Sequence, residues 1–252
     1  MAPTSQSRTL PLDRTPEEAR TTSRWTEVWS PTNVSRAAGV CALAVLAVLF
    51  LSVGSQFHSD MSAQRTLAWV SQNQQSIWID GFLSGLSNTL LALLIVLLVA
   101  LTMKTGILAR VAYIGVAAAM ATAWAHAGVE YALADLAHRG GASAGILALF
   151  SLARTMDYTD GVSIALAVGC SSLLLLRSRA LPRPAAWLGL LMAVEQIVAM
   201  PIQLAVSGTG NGPEGPITVV LGLLWLLVIG IALLVKPVRL PRPAPDGGTA
   251  SV

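Results

Sequence analysis

The chain has 252 residues, of which 54% are hydrophobic and only 12% charged, with a formal net charge of +3. Soluble domains carry about 25% charged residues, and here the apolar residues gather in long uncharged blocks such as 90–101, with a mean hydropathy of +0.65, which places the chain in lipid. This composition excludes a soluble enzyme, a disulfide scaffold and a nucleic-acid binder, because there are only two cysteines and the basic residues stand at the ends of apolar blocks instead of forming a patch.

Residues 1–35 are polar, rich in Pro, Ser and Thr and mixed in charge, and are predicted to form a disordered cytoplasmic tail. At its end, Trp25 to Trp29 suit a short amphipathic turn resting on the membrane surface. Six apolar blocks follow, at 37–54, 81–103, 107–129, 161–176, 185–206 and 215–235, and each is read as a helix because a backbone in hydrocarbon must satisfy its own hydrogen bonds. Ser52-Val53-Gly54 imitates a signal-cleavage site, but the long polar lead favours an uncleaved first span.

The stretch 142–153 is also apolar, and it is cut off from the fourth block by Arg154, Asp157 and Asp160. Three such charges at mid-bilayer are costly. The segment is therefore predicted to be an interfacial or re-entrant helix, with one long tilted helix as the competing reading. Beyond Lys236 the prolines Pro237, Pro241, Pro243 and Pro245 cannot continue a helix, so residues 237–252 are expected to be a flexible cytoplasmic tail. The predicted fold is all-α: a polytopic membrane helical bundle over 36–236, with six transmembrane helices plus the short interfacial or re-entrant helix.

Orientation follows from the basic residues. With the amino terminus inside, the inner segments hold Arg8, Arg14, Arg20, Arg24, Arg36, Lys104, Arg110, Arg177, Arg179, Arg183, Lys236, Arg239 and Arg242, leaving only Arg65, Arg139 and Arg154 outside. The positive-inside rule then makes both termini cytoplasmic. The outer side is acidic, with Asp60, Asp80, Glu130, Asp135, Asp157, Asp160 and Glu214, and it also carries His58, His126 and His138.

Four patterns bear on chemistry or packing. Glu195 sits near the centre of the fifth block, where an acid costs about 2.5–3.5 kcal/mol unless it is paired, protonated or facing water. Gln196 follows it, and Pro201 and Gln203 come within the next turns; Pro201 removes a backbone bond near Ile197. A broken polar helix at that depth suits transport or a proton relay, and a protonated glutamate that fixes packing suits it equally. His126 and Glu130 are four apart on one helical face, a spacing that can share a proton or supply two metal ligands. Further ligands would have to come from Asp157, Asp160, His58 or Asp60, so a water-exposed helix end beside Trp124 and Tyr131 is the reading preferred for this pair. Asp80, Ser84 and Asn88 repeat once per turn and are expected to make interhelical hydrogen bonds worth roughly 0.6 kcal/mol each, or to line a vestibule toward Glu195. Gly115, Ala119, Ala123 and Ala127 in the third block, and Gly161, Ala165 and Gly169 in the fourth, form small-residue faces that let backbones approach closely. These two faces are expected to be buried, against each other in the simplest arrangement. Cys41 and Cys170 read as small packing residues.

The run Arg177-Ser178-Arg179-Ala180-Leu181-Pro182-Arg183, then Trp187-Leu188-Gly189-Leu190, then Leu224-Trp225-Leu226-Leu227-Val228-Ile229-Gly230, resembles small six-span bacterial inner-membrane proteins of unknown function. The resemblance covers spans four to six. It implies a helical bundle in a bacterial inner membrane, and it carries no reaction, cofactor or catalytic residue. Walker and HExxH signatures are absent from the sequence. The chain is therefore expected to be a non-enzymatic membrane component or regulator without cofactor or metal, meeting the lipid bilayer and a membrane-protein partner or further copies of itself. A small-solute or proton-coupled transporter centred on Glu195 is the alternative. An intramembrane metal-dependent hydrolase ranks last.

Overall fold

The computed structural model of the protein describes residues 30–52, 62–102, 106–207 and 216–237, with the backbone alone at 52, 157–158, 199–201, 203–207 and 216–218. Seven helices occupy the described residues: α1 (Pro31–Ser52), α2 (Ala63–Gln72), α3 (Gln74–Leu101), α4 (Ile107–His138), α5 (Ser143–Ser178), α6 (Arg183–Ser207) and α7 (Pro216–Val235). Four of them, α1, α3, α4 and α5, are long and apolar enough to cross a membrane.

Local chemistry explains several boundaries. Helix α1 opens with Ser30, whose hydroxyl accepts from the Asn33 N–H at 3.3 Å, and with Pro31 at the first helical position, where a missing N–H costs nothing. It thus begins inside the segment expected to be disordered to residue 35. Helix α2 is capped by Ser62 and ends at Asn73, whose side-chain amide donates to the Trp69 carbonyl at 2.8 Å. The turn from α4 to α5 closes on Gly140 at φ +66°, with Gly141 N–H donating to Leu136 O at 2.8 Å and Gly140 N–H to Ala137 O at 3.2 Å. That pair of bonds is a Schellman ending, and it needs the left-handed residue that glycine supplies cheaply.

The six long helices pack as a ring. Sequence neighbours α3 to α7 touch in order, and α1 closes the ring between α3 and α7. Both the α1–α7 and α4–α5 seams depend on glycine. A Cβ on Gly39 would stand 3.1 Å from the Gly230 carbonyl oxygen, and one on Gly115 would stand 2.8 Å from the Ala167 nitrogen. The second small-residue face turns elsewhere than expected. Gly161 abuts Gln196 and Gly169 abuts Ala193, so the glycines of α5 serve its contact with α6, while Gly115 of α4 meets α5 at Ser163 and Ala167.

One prediction of chain path is corrected in favour of its competing reading, a single long helix. Residues 142–153 form no separate interfacial or re-entrant helix, since α5 runs unbroken for 36 residues. One face of its apical half is buried at Ile146, Phe150 and Ala153, and its Asp160 is hydrogen-bonded by neighbouring helices, so that charge need not interrupt it. Helix α6, expected over 185–206, runs from Arg183 to Ser207, and Pro201 does not end it. The expected span 81–103 starts earlier, at Gln74, and 107–129 extends to His138. The expected tail segment 1–29, the residues His58, Asp60, Lys104 and Glu214, and residues 238–252 lie outside the described residues.

These lengths divide the molecule along its axis. At 1.5 Å per residue α4 and α5 measure about 48 and 54 Å, against a hydrocarbon thickness of about 30 Å. We call basal the end that holds Pro31, Leu101, Ile107, Ser178, Arg183 and Val235, and apical the opposite end. A large apolar core fills the basal part, with Ala38, Leu94, Leu98, Leu175, Trp225 and Ile229 among its members. A smaller one, Val70, Ile77, Leu133, Ala134, Ile146 and Phe150, joins α2 to the apical ends of α3, α4 and α5. The amphipathic α2 was not anticipated from the sequence; it covers these protruding ends as a cap.

Candidate functional site

Between the two cores lies a polar layer. Its centre is Asp160, the midpoint of α5, reached from two other helices: the Asn88 side-chain amide of α3 donates to Oδ2 at 3.1 Å, and the Thr122 hydroxyl of α4 is 2.9 Å from Oδ1. Counted along their helices, the three residues sit about 20–27 Å from the basal ends. Asn88 is buried and also donates to the Ser84 carbonyl at 3.3 Å. Gln196 of α6, buried as well, places its amide against Gly161, next to Asp160. Four helices thus meet at this level through polar side chains or glycine.

One turn and two turns apical of Thr122 on the same face stand His126 and Glu130. Both are buried, 5% and 2% exposed, with Nε2 and Oε1 3.6 Å apart. The expectation of a water-exposed helix end is thereby corrected. The reason is Gly81 of α3, whose missing side chain leaves room for the Glu130 carboxylate; a Cβ there would lie 2.7 Å from Oε2. Gly85 does the same for the Trp124 ring, and the indole N–H donates to Thr89 Oγ1 at 3.2 Å. Among the described residues no group of three or more His, Cys, Asp or Glu side chains is placed to hold a metal.

The other expected site residues are distributed around this layer. Asp80 is half-buried, and its enclosed Oδ2 finds no hydrogen-bond partner among the described residues. Glu195 is half-buried too, about 18 Å from the basal end of α6, and its Oε2 is enclosed without a partner among the described residues. The face formed by Asp80, Ser84 and Asn88 leads through Asn88 to Asp160 rather than to Glu195. Basal of Asn88 the lining turns apolar: a void of about 10 Å3 is bounded by Leu91, Ile95, Val116, Ile164 and Ala167 among others, at the lower limit for a single water of about 10–15 Å3.

Sequence reasoning missed the central role of Asp160 and the participation of Thr122. Asp160 stood in a group of three charges that pointed away from the membrane. Thr122 gave no sign, because a helical threonine ordinarily bonds its own backbone, as this one does to Ala118 O at 2.9 Å.

An all-helical ring with four helices of membrane-crossing length and character is an integral membrane protein, embedded in lipid. No protein-family model, curated protein or solved structure matches the chain, so the geometry of the polar layer carries the functional reading by itself.

Proposed function

We propose that the protein is a non-enzymatic component of a bacterial inner membrane, a regulator or structural partner, that crosses the bilayer six times with both ends in the cytoplasm. In this reading α6 and α7 are the two further spans, at 25 and 20 residues long enough by the 1.5 Å rise. The basal end is cytoplasmic, where Arg110, Arg177, Arg179, Arg183 and Lys236 gather, and the α2 cap stands on the outer side. The observation that carries the reading is the cross-helix bonding at Asp160, which is held by Asn88 and Thr122, while the void beside them has no room for a solute. Buried polar groups bonded to one another fix how helices assemble.

Single-cysteine variants test the topology. A membrane-impermeant thiol reagent applied to intact cells is expected to modify a cysteine at Gly140, in the α4–α5 turn, and to leave cysteines at Ser7 and Ser251 unmodified. Modification of the terminal probes in sealed cells would reverse the orientation.

A small-solute or proton-coupled transporter centred on Glu195 is the second reading, favoured by the enclosed and unpartnered Glu195 Oε2 in a part of the membrane where a carboxyl group normally has a task. Proteoliposomes separate the two. The first reading expects an imposed pH gradient to decay no faster with wild-type protein than in empty vesicles. A faster decay that Glu195→Gln abolishes, while the variant melts as wild type does, would replace the first reading by the second.

A further inference from the structure

Thr122 Oγ1 has more partners than one hydrogen can serve. It lies 2.9 Å from Asp160 Oδ1, 2.9 Å from the Ala118 carbonyl oxygen and 3.1 Å from the Ala119 carbonyl oxygen. A hydroxyl donates once and accepts twice. If Asp160 is a carboxylate, Thr122 donates to Oδ1 and leaves its own helix. If Asp160 carries a proton, Oδ1–H donates to Thr122 Oγ1 and the threonine hydrogen returns to Ala118 O. Asn88 serves both states, since its amide donates to Oδ2 whether that atom belongs to a carboxylate or is the carbonyl oxygen of the acid. No side chain has to move between the two states; the hydroxyl hydrogen rotates.

The surroundings set what can reach the site. Both partners of Asp160 are neutral, and among the described residues no Lys or Arg forms an ion pair with it. Counted along the helices, the ionisable residues within about two turns of the level of Asp160 are Asp80 on α3, His126 and Glu130 on α4, Glu195 on α6 and, along α5 itself, Arg154, Asp157 and Tyr158. Toward the basal side the lining is apolar, and the void leaves no space for a hydrated ion.

We propose that Asp160, Asn88 and Thr122 form a proton-binding site in which the Thr122 hydroxyl switches from donor to acceptor. One proton is taken up from water: the Asp160 O–H bond forms, the bond donated by Thr122 reverses, and the site passes from one negative charge to none. This rests on reading α3, α4 and α5 as membrane spans, which the labelling experiment tests separately; a failure of the labelling and a failure of the proton site are read by different measurements.

The test is infrared difference spectroscopy of the full chain in lipid nanodiscs as pH is lowered. A protonated carboxyl C=O band that shifts on deuteration is expected, and it is expected to be lost in Asp160→Asn, whose amide keeps a carbonyl acceptor and sets an N–H donor where the acid has its O–H, with one N–H more, and should hold the melting temperature within about 2 °C of wild type. Persistence of every carboxyl band in a folded Asp160→Asn would overturn the proposal. Should that variant fail to fold, Thr122→Val decides: the Asp160 band is expected to move to higher frequency because the acid loses its acceptor, whereas Thr122→Ser is expected to restore it. A band unmoved by Thr122→Val overturns the switch.

Discussion

Replacing Gly115 by leucine is expected to lower the melting temperature in detergent by about 6–12 °C, the equivalent of about 3 kcal/mol for a chain of this size. A Cβ at that position would meet the Ala167 nitrogen at 2.8 Å and the Ser163 carbonyl oxygen at 3.0 Å. Both are backbone atoms, so no side chain can step aside and α4 must separate from α5. Between membrane helices van der Waals contact is a principal attraction, and separation forfeits it along the whole seam. Leucine is a better helix former than glycine by roughly 0.8 kcal/mol, which offsets only a small part of the loss. Gly128, on the same helix, is the control, because a Cβ there would meet nothing within 4 Å. Gly128→Leu is expected to leave the melting temperature unchanged or slightly higher, and equal losses in the two variants would contradict the close α4–α5 contact.

Truncating Trp225 to alanine is the second large effect, at about 3–5 kcal/mol. Trp225 is 1% exposed and has the largest side chain among those fully buried. It inserts from α7 against Gly189 of α6, where Ser172 of α5 also arrives, so its removal opens a hole where three helices meet. Trp187 offers the contrast, at 58% exposure on the outside of α6. Trp187→Ala is expected to change stability by less than about 0.5 kcal/mol. Trp225→Phe should recover most of the loss, because the Trp225 indole N–H has no hydrogen-bond partner among the described residues and volume is what the site requires. Chemical denaturation of the three variants, followed by tryptophan fluorescence or helical ellipticity, checks the order.

Hydrophobic blocks announced the helices because lipid imposes a single demand on every residue of a span. Protein-facing segments obey no such uniform demand, and there the sequence is less telling. Trp69 and Val70 of α2, like Leu133 and Ile146 beyond the expected spans, bury one face in a small core and look ordinary in a hydropathy window. Arg154 and Asp160 suggested an interruption of α5, yet a carboxylate can remain inside when two other helices bring donors to it. The partners of Asp160 are 72 and 38 residues away in sequence, and no local spacing encodes such distances. His126 and Glu130 were legible as a pair from their four-residue separation, but their burial depends on Gly81 in a different helix. The small-residue faces were visible for the same reason the spans were, a regular period along one helix. Their partners were not, since a glycine records that something approaches closely and not what approaches.

Asp160 divides α5 into two arms of nearly equal length, 17 residues to Ser143 and 18 to Ser178, or about 26 and 27 Å. Helix α4 runs beside it over most of that distance, and neither is broken. The α2 cap is attached to one pair of ends, and the arginines Arg110 and Arg177 are borne by the other. Because both helices pass through the polar layer unbroken, the cap and the two basal arginines are joined by continuous helical backbone, with the Asp160 hydrogen bonds near the middle of the path.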